Sequence, residues 1–245
     1  MCNCLINTLP HGRVSALYLS SMSKELKREK LILLLKNISP EMKRRLAKLK
    51  RECDLLKRSD FIWHALLSSV ATLGNERGYE GLIRNEKNYN RVTFVALSTI
   101  PRAKRLAHID IVLREAKVRM PAQKARWLFE NYEIICKRGG VEKLSREALE
   151  QKGREAKILF LKQFTGIGDK YARAIWMDAF HKDFRDSMAI DLRINQITAA
   201  LGYEFKSYEE HENFYREIAK ECNLLTWEID RLLYNHKDFF LSNLA

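Results

Sequence analysis

The sequence predicts an all-α protein, and three observations support this fold class. The chain of 245 residues holds only ten glycines and four prolines, too few for the many turns of a β-sandwich or barrel. Apolar residues recur at helical spacing in most segments, while no stretch shows the sustained alternation of a strand. Hydrophobic residues make up 46% of the chain and charged residues 31%, which is typical of a folded protein.

Local signals predict where individual helices and loops lie. Ser39, Pro40 and Glu41 form a helix start, with a capping hydroxyl, a proline at the first position and an early acid. The apolar stripe that follows, at alternating steps of four and three, consists of Met42, Leu46, Leu49, Cys53 and Leu56. Another helix is predicted to stop at Gly74, and glycines and polar residues predict a loop-rich connection over residues 75–90.

Positive charge is concentrated in two segments of the chain. The formal net charge is +13, and residues 24–58 hold 13 basic and five acidic side chains, while residues 102–130 hold eight and three. In the rest of the chain, basic and acidic residues are equal in number. This concentration predicts a binding face for a polyanion, because charge that serves solubility alone is spread more evenly. For residues 24–58 the alternative is the solvated face of lysine-rich helices.

The cysteines indicate free thiols in a reducing compartment. They are Cys2, Cys4, Cys53, Cys136 and Cys222. No C-x-x-C pair exists, so neither a zinc ribbon nor an iron–sulfur cluster is predicted. The longest apolar run, residues 31–35, is far shorter than the roughly 20 residues that span a bilayer.

No secretory signal is recognisable, so we expect an intracellular protein, in a prokaryotic cytoplasm or a eukaryotic nucleus, with no membrane partner. Met22 begins a more convincing helical sequence than Met1 does. Residues 1–21 are therefore expected to be a loose arm or to precede the true start.

The most informative stretch covers residues 161–173. Here Gly166, Ile167 and Gly168 separate an amphipathic helix from a second helix that begins near Asp169. The two glycines permit a tight turn, and Ile167 can fill the gap between the helices. The backbone amides and partial positive charge at the second helix start can then hold a phosphate. This pattern resembles the helix-hairpin-helix motif of DNA-binding proteins.

A second chemical signal follows the hairpin. Lys170 lies in the first turn of the second helix, and 21 residues later an apolar approach leads to Asp191 at a new helix start. Together with the hairpin, this arrangement resembles the helix-hairpin-helix DNA glycosylase superfamily over roughly residues 91–235. The resemblance implies that Asp191 is the essential carboxylate. It also implies that Lys170 is the amine nucleophile found only in members that cleave the strand, and that residues 166–168 hold a phosphate.

Further DNA contacts are expected outside the hairpin. Arg102 and Lys104 follow Pro101 at a helix entry and are expected to contact phosphates. Lys124 is also predicted to contact DNA, within a segment similar to the family's helix after its first damage-search segment. Some members hold a structural cation at the carbonyls that match Lys162, Phe164 and Ile167; beyond this cation, no cofactor is expected.

For the whole chain, the resemblance implies two helical lobes that flank a DNA-binding cleft. We expect residues 1–90 to pack with residues 186–245 as one lobe, and residues 91–185, with the hairpin at 164–170, to form the other. The expected partner is double-stranded DNA with a damaged base, oxidised guanine or an oxidised pyrimidine, bound by a monomer.

The expected activity is that of a DNA glycosylase and AP lyase, in which Lys170 attacks C1′ to form a Schiff base with help from Asp191. One alternative is a non-catalytic DNA-binding protein in which Lys170 only touches phosphate. Another is a monofunctional glycosylase that uses Asp191 and water.

Three departures from the family pattern stand out. Thr165 occupies a position where many relatives have proline. The spacing from Lys170 to Asp191 is a few residues longer than usual, with residues 180–188 as an extra loop. The cysteine set that binds an iron–sulfur cluster in one branch is missing, because Cys222 alone falls in that region.

Overall fold

The computed structural model describes residues 11–51, 54–72 and 76–244, the side chains of residues 11–22 and 76 excepted. Within these residues every regular element is a helix, which confirms the all-α prediction. The α-helices, in chain order, are α1 (His11–Lys36), α2 (Pro40–Arg51), α3 (Phe61–Thr72), α4 (Glu76–Leu82), α5 (Glu86–Arg91), α6 (Phe94–Ser98), α7 (Arg102–Glu115), α8 (Pro121–Lys137), α9 (Val141–Glu150), α10 (Gly153–Leu161), α11 (Asp169–Asp178), α12 (Leu192–Leu201), α13 (Tyr208–Cys222), α14 (Thr226–Asn235) and α15 (Lys237–Leu244). Short 3₁₀ turns lie at Leu55–Lys57 and Lys182–Phe184.

The two N-terminal helices follow their sequence signals with one extension. α2 begins at Pro40, as predicted, and the hydroxyl oxygen of Ser39 accepts a hydrogen bond from the amide of Met42 at 3.2 Å. α1 already begins at His11, so the first helix starts well before Met22. Several features predicted from the sequence lie outside the described residues: residues 1–10 of the arm, Cys2, Cys4, Cys53 and the helix stop at Gly74.

The described chain divides into two compact units, of which the first combines both ends of the chain, up to Lys48 and from Ile190. In this unit α1 packs against α12, α13 and α15, and α14 packs against α12 and α13. Its core includes fully buried aliphatic side chains: Leu31, Leu35, Ile197, Leu201, Ile218 and Leu233. This packing holds α12, the helix that starts directly after Asp191.

The second unit spans Leu49–Ala189 and is built around α3. This helix is apolar on nearly every side and is surrounded by α4, α8, α9 and α11. Trp63 near its start is fully buried and donates a hydrogen bond from Nε1 to the carbonyl oxygen of Val92 at 2.8 Å. Because α8 and α11 both pack on α3, the core of this unit positions the hairpin.

The structure corrects the expected lobe boundaries at residues 90 and 186. Residues 49–90 belong to the second unit, and the chain returns to the first unit at Ile190. The physical reason is α3: so apolar a helix must be covered on several sides, and α8, α9 and α11 cover it.

The prediction of a loop over residues 75–90 is also wrong, because α4 and α5 occupy most of this segment. The side chain of Asn85 caps α5 by accepting a hydrogen bond from the amide of Asn88 at 3.2 Å. Gly81 marks close helix packing rather than a loop, since a Cβ there would lie 2.1 Å from the carbonyl oxygen of Ala116. None of the described helices combines the length and apolarity needed to cross a membrane.

Candidate functional site

The predicted helix-hairpin-helix is present in the second unit. α10 and α11 pack against each other and are joined by residues 162–168. Phe164 and Ile167 point into the protein, where only 2% and 7% of each residue stays exposed. The amide of Ile167 donates to the carbonyl oxygen of Phe164 at 3.2 Å. The turn is therefore closed by its own backbone and anchored by two apolar side chains.

The two glycines of the hairpin serve different purposes. Gly166 has a φ of +87°, and a Cβ there would lie 2.7 Å from Cε3 of Trp127, so a larger residue is excluded by both conformation and space. Gly168 is extended, with φ −100° and ψ −171°, and a Cβ there would meet nothing within 4 Å. Nothing in the described protein requires glycine at 168, and the backbone there stays open to a ligand.

The N-terminus of α11 is left uncapped by side chains. Its N-cap residue is Gly168, and the first-turn amides of Asp169 and Lys170 donate to no group among the described residues. The Asp169 carboxylate instead pairs with Lys162 at 2.9 Å and with Arg173 at 3.5 Å, and the hydrogen bond from Lys162 is the main cause that lowers its pKa. Unsatisfied amides at the positive end of a helix form a binding site for an anion such as phosphate.

Lys170 is the second residue of α11 and is partly buried. Its Nζ lies 4.4 Å from the ring centroid of Tyr171, close enough for a cation–π contact. No carboxylate among the described residues pairs with this amine. The amine beside the open turn can therefore react without first leaving an ion pair.

Asp191 is the N-cap residue of α12 in the first unit. Its Oδ1 accepts hydrogen bonds from the amides of Arg193 at 2.9 Å and Ile194 at 3.1 Å, whereas Oδ2 accepts none from the described residues. The amide of the preceding Ile190 donates to the hydroxyl of Tyr208 at 3.0 Å. The carboxylate is thus held in one orientation with one oxygen left for chemistry.

The extra loop of residues 180–188 is well anchored within the second unit. Phe184 is fully buried, and the Asp183 carboxylate pairs at 3.1 Å with Lys157, of whose side chain only 4% is exposed. Nε of Arg154 donates to the hydroxyl of Ser187 at 3.0 Å. These contacts fix the chain almost up to the point where it enters the first unit at Ile190.

The three predicted DNA contacts outside the hairpin differ in the structure. Lys104 is exposed and pairs with no carboxylate among the described residues. Arg102 is also exposed, but its Nε donates to the Glu133 carboxylate at 2.9 Å. Both side chains remain available to a phosphate, although Glu133 already neutralises part of the charge of Arg102.

For Lys124 the prediction of a DNA contact is wrong. Its side chain is fully buried, and its pKa is lowered to about 8, mainly by burial and also by the positive charge of Arg119. The charge of Lys124 indicated a surface position, but the buried face of α8 includes Lys124, Leu128 and Asn131.

Sequence reasoning missed Asn131, whose residue surface is 1% exposed. Its Oδ1 accepts the amide hydrogen of Thr165 at 2.8 Å, and its Nδ2 donates to the carbonyl oxygen of Thr165 at 3.0 Å. The available signal was its spacing of four residues from Trp127, which places both on one face of α8. Trp127 and Asn131 also line a cavity of about 10 Å³ under the hairpin, which is too small for a nucleobase.

The predicted structural cation stays a prediction. Of the three carbonyls involved, that of Phe164 already accepts the hydrogen bond from Ile167. No group of three or more His, Cys, Asp or Glu side chains suited to a metal occurs in the described part of the chain.

Comparisons with known proteins report on the fold. No protein-family profile matches the chain, and no curated protein matches its sequence. Among solved structures, the 8-oxoguanine DNA glycosylase of Thermotoga maritima matches with a TM-score of 0.63 and 18% identity, covering 84% of this chain and 95% of that one. The 8-oxoguanine glycosylase/lyase of Methanocaldococcus jannaschii, in complex with a 15mer DNA that contains 8-oxoguanine, gives 0.61 and 19%, covering 84% and 94%.

A second structure of the Methanocaldococcus jannaschii 8-oxoguanine DNA glycosylase also has a TM-score of 0.61 and 19% identity, covering 90% of this chain and 94% of that one. The chain therefore has the fold of these 8-oxoguanine DNA glycosylases, along nearly the whole of their length.

Proposed function

We propose that this chain is a base-excision repair DNA glycosylase with AP lyase activity that removes an oxidised purine of the 8-oxoguanine type. The observation that carries the proposal is the amine of Lys170, which pairs with no carboxylate of the described residues and lies in the first turn of α11 beside an open Gly-x-Gly turn. The fold shared with 8-oxoguanine glycosylases supports the substrate class.

Binding begins with the backbone of the DNA. A phosphate accepts hydrogen bonds from the first-turn amides of α11 and approaches the turn at Gly168, where no side chain obstructs it. The exposed cations Arg102 and Lys104 contact neighbouring phosphates. These sequence-independent contacts offset the few kcal/mol that it costs to turn the damaged nucleotide out of the stack.

Chemistry then follows at the sugar of the extruded nucleotide. The amine of Lys170 attacks C1′, and the bond from C1′ to the base breaks, so that the base leaves with the electron pair and takes up a proton. Opening of the bond between C1′ and the ring oxygen gives the Schiff base. Loss of a proton from C2′ then expels the 3′ phosphate and cuts the strand.

Asp191 supports the same reaction electrostatically. Its carboxylate stabilises the positive charge that develops on the sugar as the base departs, and its Oδ2 can carry a proton. The two hydrogen bonds to Oδ1 keep the group oriented while it does so.

Borohydride reduction tests the proposal, because it converts the Schiff base into a stable covalent adduct. With a duplex that contains 8-oxoguanine, the wild-type protein should form an adduct, and Lys170→Ala should form none. Lys137→Ala removes an exposed lysine at the far end of α8 and should leave the adduct unchanged.

The other outcomes identify the alternatives. Base release without any adduct in the wild type would mean a monofunctional glycosylase that uses Asp191 and water. Tight binding of the duplex with neither base release nor adduct would mean a non-catalytic DNA-binding protein.

A further inference from the structure

We propose that Asn131 is a positioning residue that sets the shape of the proposed phosphate-binding turn by holding Thr165. The inference rests on the proposed function, because it assumes that the turn at residues 165–168 grips DNA. Asn131 lies on α8, outside the hairpin itself.

The first supporting observation is the pair of hydrogen bonds between Asn131 and Thr165. Oδ1 accepts the amide hydrogen of Thr165 at 2.8 Å, and Nδ2 donates to its carbonyl oxygen at 3.0 Å. With 1% of the residue exposed, water does not compete for either bond. The side-chain amide of Asn131 binds both the amide N–H and the carbonyl oxygen of Thr165. It therefore fixes the peptide planes before and after Thr165.

The second observation is that α8 also supports the next residue of the turn. Trp127 lies one helical turn before Asn131, and its ring lies directly against Gly166, where a Cβ would come within 2.7 Å of Cε3. Thus α8 holds Thr165 by hydrogen bonds and Gly166 by a ring contact. The shape of the turn is set from outside the hairpin.

Proline and the Asn131 contact are alternative ways to the same result. Proline fixes φ near −65° through its ring and has no amide hydrogen to donate. Thr165 is not restricted in this way, but its amide hydrogen is available and Asn131 binds it. A turn with neither device must be ordered when DNA binds, which should weaken binding about tenfold for each residue that is ordered.

The experiment combines Asn131→Ala and Thr165→Pro. Binding is measured by fluorescence anisotropy with a duplex that contains a tetrahydrofuran abasic-site analogue, below the melting temperature of each variant. Asn131→Ala should bind about tenfold more weakly than wild type. The double variant should regain most of this affinity, because proline restores the rigid backbone and no longer needs an acceptor.

Asn88→Ala is the matched control. Asn88 is another buried asparagine of the same unit, and it donates to the carbonyl oxygen of Gly81 at 2.9 Å. Its removal should lower stability without changing DNA affinity. If Asn131→Ala does not fold, Asn131→Leu is used, which keeps the side-chain volume, adds no charge and removes both hydrogen bonds to Thr165; it should bind DNA more weakly than wild type.

Two results would overturn the inference. The first is wild-type DNA affinity in Asn131→Ala, or in Asn131→Leu if that variant replaces it. The second is a double variant that binds DNA no better than Asn131→Ala. The borohydride adduct keeps this test separate from that of the proposed function. If the wild type forms no adduct but the affinities follow the expected pattern, the proposed activity fails and the role of Asn131 stands.

Discussion

The N-termini of α11 and α12 carry the two residues to which the chemistry is assigned, and they are built in opposite ways. α11 follows Gly168, which has no side chain to cap it, and the Asp169 carboxylate turns to Lys162 and Arg173 instead. α12 follows Asp191, whose Oδ1 accepts two of the helix's own amide hydrogens. The first end is open to an external anion, whereas the second supplies its own.

This difference means that the two residues do not respond alike to substitution. Lys170 contributes no cap to α11, so we expect its removal to affect the proposed chemistry and to leave the helix intact. Asp191 combines a structural role through Oδ1 with the proposed catalytic role, and a simple deletion would mix the two effects.

Asp191→Asn separates the two roles and should have the largest effect. Asparagine keeps an oxygen that can cap α12 but removes the negative charge. We expect base release under single-turnover conditions to slow by about 10²–10⁴-fold, with the free energy of unfolding changed by less than about 1 kcal/mol.

Ser207→Ala is the control for this substitution, because Ser207 caps α13 in the same unit by accepting the amide hydrogen of Glu210 at 3.1 Å. It should cost about 1 kcal/mol of stability and leave base release unchanged. Should Asp191→Asn release the base at the wild-type rate, the carboxylate is only a helix cap.

The two hairpin glycines offer a sharper test of the open end. Gly166→Ala places a methyl group against Trp127 at a φ of +87°, so it should destabilise the protein by roughly 1–3 kcal/mol in urea unfolding. Gly168→Ala meets no protein atom within 4 Å and should leave stability within about 1 kcal/mol of wild type. Its methyl group faces the proposed phosphate, so affinity for duplex DNA should fall about tenfold.

The opposite pattern, with Gly168→Ala unstable or with unchanged DNA affinity, would show that the turn does not receive a phosphate. Gly166→Ala should lose DNA affinity because less of the protein is folded and because the turn is distorted. Stability measurements on both variants are therefore part of the test.

α7 extends the comparison, because it lacks a side-chain cap, as α8, α9 and α10 also do, and it carries Arg102 and Lys104 in its first turn. Lys104→Ala should reduce the slope of log affinity against log salt by about one. Arg102→Ala should reduce it less, because Glu133 already neutralises part of its charge. This is the smallest expected effect, and equal slopes for both variants and wild type would exclude α7 from the interface.

The sequence was sufficient for features that depend on neighbours along the chain. The all-α fold, the start of α2 at Pro40, the hairpin and the helix that begins after Asp191 all follow from caps, glycines and apolar spacing within a few residues. The roles of Lys170 and Asp191 came from the family resemblance that these local signals carry, and their shared role in one reaction remains a proposal.

Features that depend on packing between distant segments were missed or wrong. Lys124 looked like a surface cation, yet α8 turns it into the interior. Residues 49–90 were assigned to the wrong unit because the sequence around α3 does not indicate which helices pack against it.

The sequence alone therefore determined the all-α class, most of the helices and the position of the hairpin turn, since backbone geometry and capping act over a few residues. Tertiary structure decided the rest: that Gly166 is required by Trp127 while Gly168 is left open, and that Asn131 fixes Thr165 across 34 positions of the chain. Such contacts arise only when separate helices pack against each other, so they cannot be predicted from any one stretch of residues.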